Sequence, residues 1–178
     1  YKTYTKVLNS STYANIPQNR ERIFIVAFDP AQVKNHNKFS FPEPIPLTKT
    51  IHDILEKGKQ ADSLYYKEDH MYYSELKKTM TSKDTIYQWR RVYVRENKSN
   101  VCPTLTANMG AGGHNVPLVL DDYGIRKLTP KECFAFQGYP VDKYILPNIA
   151  NSRLYMQAGN SVTTTLIERI SEHIIKVL

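Results

Sequence analysis

Six consecutive apolar residues, Ile23-Phe24-Ile25-Val26-Ala27-Phe28, follow directly on Pro17-Gln18-Asn19-Arg20-Glu21-Arg22. The run is rich in β-branched and aromatic residues and is closed by Asp29-Pro30. It predicts a strand buried on both faces, of the kind found in α/β sheets. Gln18, Arg20 and Arg22 stand on alternate positions ahead of it, so an extended chain sends their long polar side chains to one side. Two guanidiniums held together at a strand mouth suit a phosphate or a base carbonyl, because each offers a rigid fork of donors. On spacing alone, pairing with Glu21 and neighbouring carboxylates at a sheet edge is the favoured explanation.

The rest of the chain reads in shorter pieces. Tyr4 to Leu8 reads as a strand, and because the chain opens at Tyr1 close to it, a preceding segment is expected. A proline-rich connector, Phe41-Pro42-Glu43-Pro44-Ile45-Pro46-Leu47, excludes helix and central strand. Thr50 to Glu56 forms a helical turn ended by Gly58, and Ser63 to Thr85 shows no clean period. Tyr87 to Arg95 alternates, predicting one strand with Trp89, Arg91, Tyr93 and Arg95 on a basic-aromatic face. A loop of small residues follows, Pro103-Thr104-Leu105-Thr106-Ala107-Asn108-Met109-Gly110-Ala111-Gly112-Gly113, then a strand at Asn115–Leu120 and a turn at Asp121-Asp122-Tyr123-Gly124. Thr129-Pro130-Lys131-Glu132 carries a capping-box signature and starts a helix running to Gly138. Val162, Leu166, Ile170, Ile174 and Val177 form the stripe of a last helix, expected to open near Ser161.

Composition narrows the class. The 178 residues suffice for one core or two small ones, and an apolar content of 41% favours a globular chain. The two cysteines, Cys102 and Cys133, are too few for a disulfide framework and form no CxxC pair, so a reducing compartment and no metal site are expected. Without a membrane-length apolar run or a signal peptide, a soluble cytoplasmic protein with no membrane partner is expected. The net charge of +7 suits a polyanion. Residues 29–123 are nearly neutral, thirteen basic against twelve acidic, yet Arg90, Arg91, Arg95 and Lys98 cluster against Glu96 alone.

Three patterns in this order resemble the C-terminal part of the DNA cytosine-5 methyltransferases. Ile16-Pro17 followed by Gln18-x-Arg20-x-Arg22 and the apolar strand is the first. Arg126-x-Leu128-Thr129-x-x-Glu132 with Gln137-Gly138-Tyr139-Pro140 is the second and the most specific. Tyr155-x-Gln157-x-Gly159-Asn160-Ser161-Val162 is the third. The same family's Gly-rich cofactor loop, Pro-Cys nucleophile and Glu-Asn-Val motif are absent from the sequence, and Cys102-Pro103 has the nucleophile's order inverted.

The resemblance implies a parent reaction in which a cysteine thiolate adds to C6 of a flipped cytosine and C5 takes the methyl of S-adenosylmethionine. It implies that Gln18, Arg20 and Arg22 serve catalysis, with Arg22 near O2 of the cytosine and Arg20 supporting the catalytic loop or a phosphate. Asn160 and Ser161 are implied to lie beside the methionine part of the cofactor, at a helix N-terminus. Arg91, Tyr93, Thr104, Gly112 and Gly113 are implied to contact double-stranded DNA, Arg91 gripping guanine O6 and N7 and Thr104 a phosphate. Arg126 and Glu132 are implied to hold the interface between domains.

The expected fold is therefore α/β: part of a catalytic-domain sheet, in residues 1–28 and 124–178, around a small, mainly β target-recognition domain at 29–123. The expected function is the DNA-recognising part of such an enzyme in a bacterial restriction-modification system. It would be inactive alone and completed by an N-terminal half or a separate catalytic subunit. The competing class is a non-catalytic DNA-binding module, which has no use for Gln18-x-Arg20-x-Arg22 or Gly159-Asn160-Ser161.

Overall fold

The computed structural model describes residues 1–111 and 115–178. Its first unit is a two-stranded antiparallel sheet, β1 (Lys2–Asn9) with β2 (Glu21–Phe28), in the register Lys2↔Phe28 to Asn9↔Glu21. The strands are joined through a single helical turn, α1 (Ser10–Tyr13), which Asn9 caps through its side-chain oxygen. Alternation sends Tyr4, Leu8, Phe24, Val26 and Phe28 into a cluster with Val33, Phe39, Phe41, Leu166, Ile170 and Val177. The connector expected to begin a separate domain at residue 29 thus packs back on this sheet through residues 33–41.

The expectation that Ile23–Phe28 is buried on both faces is not met. Ile23 and Ile25 are 61% and 65% exposed, and Val7, paired with Ile23, is 57% exposed. The strand is half-buried, and its unbroken apolar run arises because its outward face is apolar and no described residue covers it.

The second unit is a four-stranded antiparallel sheet in the order β4-β3-β5-β6: β3 (Tyr87–Arg90), β4 (Tyr93–Glu96), β5 (Leu118–Asp121) and β6 (Gly124–Lys127). The single strand expected at 87–95 is a hairpin. Arg91 takes a left-handed φ of 53°, and the register Arg90↔Tyr93 closes a two-residue turn at Arg91-Val92. The turn changes which side chains share a face. Gln88 and Arg90 now lie with Tyr93 and Arg95, while Trp89 faces Val94 over the core of helix α2 (Tyr73–Thr79).

A third cluster, including Ile51, Ile86, Leu105, Met109, Leu128, Phe136 and Tyr155, joins the remaining pieces. Helix α3 (Pro130–Ala135) starts at the expected capping box: Thr129 accepts from Glu132 N at 3.0 Å and Glu132 accepts from Thr129 N at 2.7 Å. It ends before Gly138, whose φ of +80° is open to glycine at little cost. Helices α4 (Asn151–Asn160) and α5 (Thr164–Ile175) complete the chain. No helix of the described residues is long and apolar enough to cross a membrane.

Candidate functional site

Four segments distant in sequence meet around Gln18 and Arg20, which are both buried. The Gln18 amide donates to Phe136 O at 2.6 Å and accepts from Leu105 N at 3.1 Å. Gln137, reached by Gln18 at 3.3 Å, donates on to Ala158 O at 2.8 Å. Arg20 donates to Leu105 O at 2.7 Å, to Ser161 O at 2.7 Å and to Gly159 O at 3.2 Å. Backbone bonds Asn19 N to Cys102 O and Cys102 N to Pro17 O lock the strand entry to the base of the small-residue loop. Buried backbone carbonyls without partners are costly, and here two long side chains satisfy carbonyls on three other segments. Burial first, then Arg22 nearby, lowers the Arg20 guanidinium to a pKa of about 10, so it stays charged at neutral pH. Arg20 Nε is buried without a partner among the described residues.

Of the alternating trio, Arg22 alone is exposed; it donates to Glu21 O at 2.7 Å. It lines a cleft of about 190 Å³ with Arg20, Asn160, Ser161, Val162 and Thr163. The residues expected for catalysis and for the cofactor are thus brought to one place, except Gln18, which lies beneath it. The expected helix start at Gly159-Asn160-Ser161 needs correction. Asn160 is the last residue of α4 and Ser161 its C-cap, its hydroxyl bonded to Ala158 O at 2.8 Å. The dipole at Asn160 therefore has the sign opposite to that expected, and the nearest helix start is that of α5, which follows directly on Thr163. Polar Asn151-Ser152-Arg153 hid α4 from a reading by apolar stripe. Gly159 has a separate reason to be glycine: a Cβ there would overlap the Thr106 carbonyl and Ala107 nitrogen. α4 and the loop therefore touch backbone to backbone.

A second cleft, of about 260 Å³, is polar: Asn19, Gln88, Arg90, Arg95, Asn97, Thr104, Thr106 and Asn115 line it with Pro103. Thr104 donates its hydroxyl hydrogen to Asn19 O at 2.7 Å, so a phosphate would compete with that carbonyl. Arg91 is exposed at the hairpin turn and Tyr93 is half exposed beside it, both outside the cleft lining. Gly112 and Gly113 lie outside the described residues. Gln88 and Asn19 were not singled out from the sequence, and Arg95 was read there only as part of a basic face and cluster. Recognising Arg91-Val92 as a two-residue turn would have put Gln88 on the same face as Arg95 by parity.

The whole chain except its last two residues matches the family model for C-5 cytosine-specific DNA methylase, over residues 1–176. The chain belongs to this family. It is 59% identical over 178 residues to the Type II methyltransferase M.Bsp6I of Bacillus sp. (strain RFL6), covering 99% of this chain and 56% of that protein. With M.SsoII of Shigella sonnei the identity is 32%, covering 99% of this chain and 48% of that one. Among solved structures, the DNMT2 mutant of Spodoptera frugiperda superposes with a TM-score of 0.66 at 14% identity, over 98% of this chain and 58% of that one. The Entamoeba histolytica methyltransferase EhMeth gives 0.63 at 14% identity, over 98% and 53%. The chain spans about half the length of the curated relatives it matches.

In this methylase chain the Arg126–Glu132 block is a buried ion pair. Both guanidinium ends reach Glu132 at 2.8 Å, and Nε reaches Asp121 at 2.7 Å. Burial opposes the Arg126 charge, but the two carboxylates outweigh it and raise its pKa. Glu132 also accepts from Glu56 N at 2.8 Å. The block therefore ties sheet strand β6, helix α3 and the segment after the proline-rich connector together.

Proposed function

We propose that this chain is the C-terminal, DNA-recognising part of a DNA (cytosine-5-) methyltransferase of a bacterial restriction-modification system, working in the cytoplasm on double-stranded DNA. In this reading the β1–β2 sheet, with residues 33–41 and helix α5 packed on it, belongs to the catalytic domain, and the β3–β6 sheet, which runs past the expected boundary at 123 to Lys127, belongs to the target-recognition domain. The observation that carries it is the pair of clefts tied to the Gln18–Arg20 knot. Arg20, Arg22, Asn160 and Ser161 line one, Thr104 and the hairpin line the other, and the Gln18–Arg20 knot fixes their separation.

S-adenosylmethionine, the family's methyl donor, supplies the activated methyl group. The residues present fit one side of it. A cleft of about 190 Å³ is below the roughly 300 Å³ at which small-molecule pockets begin, so this chain offers a wall and not a complete site. Asn160 stands exposed there with its amide unengaged among the described residues. Arg22 is held at the rim by a single backbone bond, which leaves most of its donors open to a pyrimidine carbonyl. Such a contact strengthens as the attacked ring gains negative charge, so it favours the transition state. Arg20 holds both walls in register. We assign the uncovered face of Val7, Ile23 and Ile25 to contact with the remainder of the catalytic domain, in the same polypeptide or in a separate subunit.

The purified chain should transfer no labelled methyl group from S-adenosylmethionine to DNA, because it holds no Pro-Cys nucleophile. In the complete enzyme, Arg22→Ala should lower kcat on the order of 10²-fold with little change in DNA affinity. Transfer by the chain alone, or an unchanged kcat in that variant, would sink this reading.

A further inference from the structure

We propose, on the footing of that DNA-recognising role, that the cross-strand pair Gln88–Arg95 reads a guanine of the target sequence through its major-groove edge. The two residues sit opposite each other in the β3–β4 ladder. Arg95 Nη2 donates to Gln88 Oε1 at 2.8 Å and to Asn97 Oδ1 at 3.3 Å. A guanidinium accepts nothing, so Gln88 must turn its oxygen toward Arg95 and its NH2 group away. Among the described residues neither Gln88 Nε2 nor Arg95 Nη1 has a protein partner. The free edge of the pair therefore presents donors only, and it opens into the polar cleft shared with Thr104, Thr106 and Asn115.

Of the four bases, guanine alone shows two adjacent acceptors, O6 and N7, in the major groove; adenine sets a donor beside its N7 and cytosine offers a donor. A donor pair in fixed geometry thus selects guanine. The ribbon itself is of a size that the groove admits. It is stiffened from behind, where Trp89 stacks on Tyr72 with centroids 4.2 Å apart and Val94 is buried. Arg90, exposed and without a partner among the described residues, suits a phosphate, which needs charge more than geometry. Arg91, expected from the sequence to grip guanine, sits in the turn outside the ladder and has no hydrogen-bonding partner among the described residues to fix its side chain.

The test uses the complete methyltransferase containing this chain, acting on a library of duplexes randomised around the cytosine, with methylated products read by bisulfite sequencing. Gln88→Glu keeps an ion pair with Arg95 but replaces the free donor by an acceptor. It should lower the guanine preference at one position by about tenfold or more. Arg95→Gln should relax the same position, and Arg91→Ala should leave it within about twofold. Independently of any variant, 7-deazaguanine at that position, which lacks the N7 acceptor, should slow the unmodified enzyme by about tenfold. Relaxation at different positions, none in Gln88→Glu, loss in Arg91→Ala, or indifference to 7-deazaguanine would each overturn the assignment and leave the methyltransferase reading standing. A wild-type enzyme that methylates no duplex would overturn both.

Discussion

Gln18 with Arg20, and Gln88 with Arg95, are the same two residue types put to opposite uses. In the first pair every partner is protein: carbonyls and amides of Leu105, Phe136, Gly159 and Ser161, with Gln137 alongside. In the second, the side chains bond to each other and to Asn97, leaving a donor edge facing an open cleft. Residue type does not separate a structural tie from a reading head; burial and the identity of the partners do.

That contrast is easiest to break at Arg20. Arg20→Ala orphans three carbonyls and should cost about 3–5 kcal/mol in denaturant unfolding of the chain. Arg20→Lys should recover little, since one ammonium on a flexible stem does not reproduce the fork. A loss below about 1 kcal/mol would mean that the knot does not hold the two clefts together. Next in size is Gly159→Ala, whose new methyl overlaps the Thr106 carbonyl and Ala107 nitrogen. It should cost about 2–3 kcal/mol, measured the same way.

A third test reads the dryness of the core beneath the knot. Burial raises the Cys102 thiol well above 9.0 and does the same to Cys133, each with help from nearby negative charge. The folded chain then keeps protons that the unfolded chain releases. Stability from these thiols is complete below pH 9 and is lost as pH rises above it, by at most about 1.4 kcal/mol per pH unit for each thiol. Cys102→Ala should flatten that alkaline slope, and an unchanged slope would place water in the core. The smallest expected effect is Arg95→Ala, within about 0.5 kcal/mol of wild type, because its partners are exposed to solvent when it is gone. A cost comparable to that of Arg20→Ala would erase the distinction between the two pairs.

The sequence made the knot's members legible but not its direction. Gln18, Arg20 and Arg22 stand on alternate positions, yet alternation alone does not say that the first two turn inward and only Arg22 reaches solvent. That outcome depends on carbonyls of Leu105 and Ser161, residues 85 and 141 positions away. The capping box at Thr129–Glu132 was legible because it is local and built from four adjacent residues. The hairpin at Arg91-Val92 was not, because neither residue is the Gly, Asn or Asp that normally marks a left-handed turn. β2 misled through its composition: an apolar outward face looks the same in sequence whether or not something covers it.

The two-residue turn at Arg91-Val92 gives the hairpin an even-odd rule. Adding or removing one residue there would either be absorbed as a bulge or slide β4 by one place, and a slide sends every β4 side chain to the opposite face. Val94 and Glu96 would then look into the cleft, while Arg95 and Tyr93 would be driven toward the apolar core around Leu76, Met80 and Tyr87. A carboxylate in place of a donor edge favours cytosine over guanine, so one codon would exchange the preferred base and at the same time bury a charge. A lineage that shifts its target sequence in viable steps is therefore expected to substitute within the two strands, or to change the turn by residues taken in pairs.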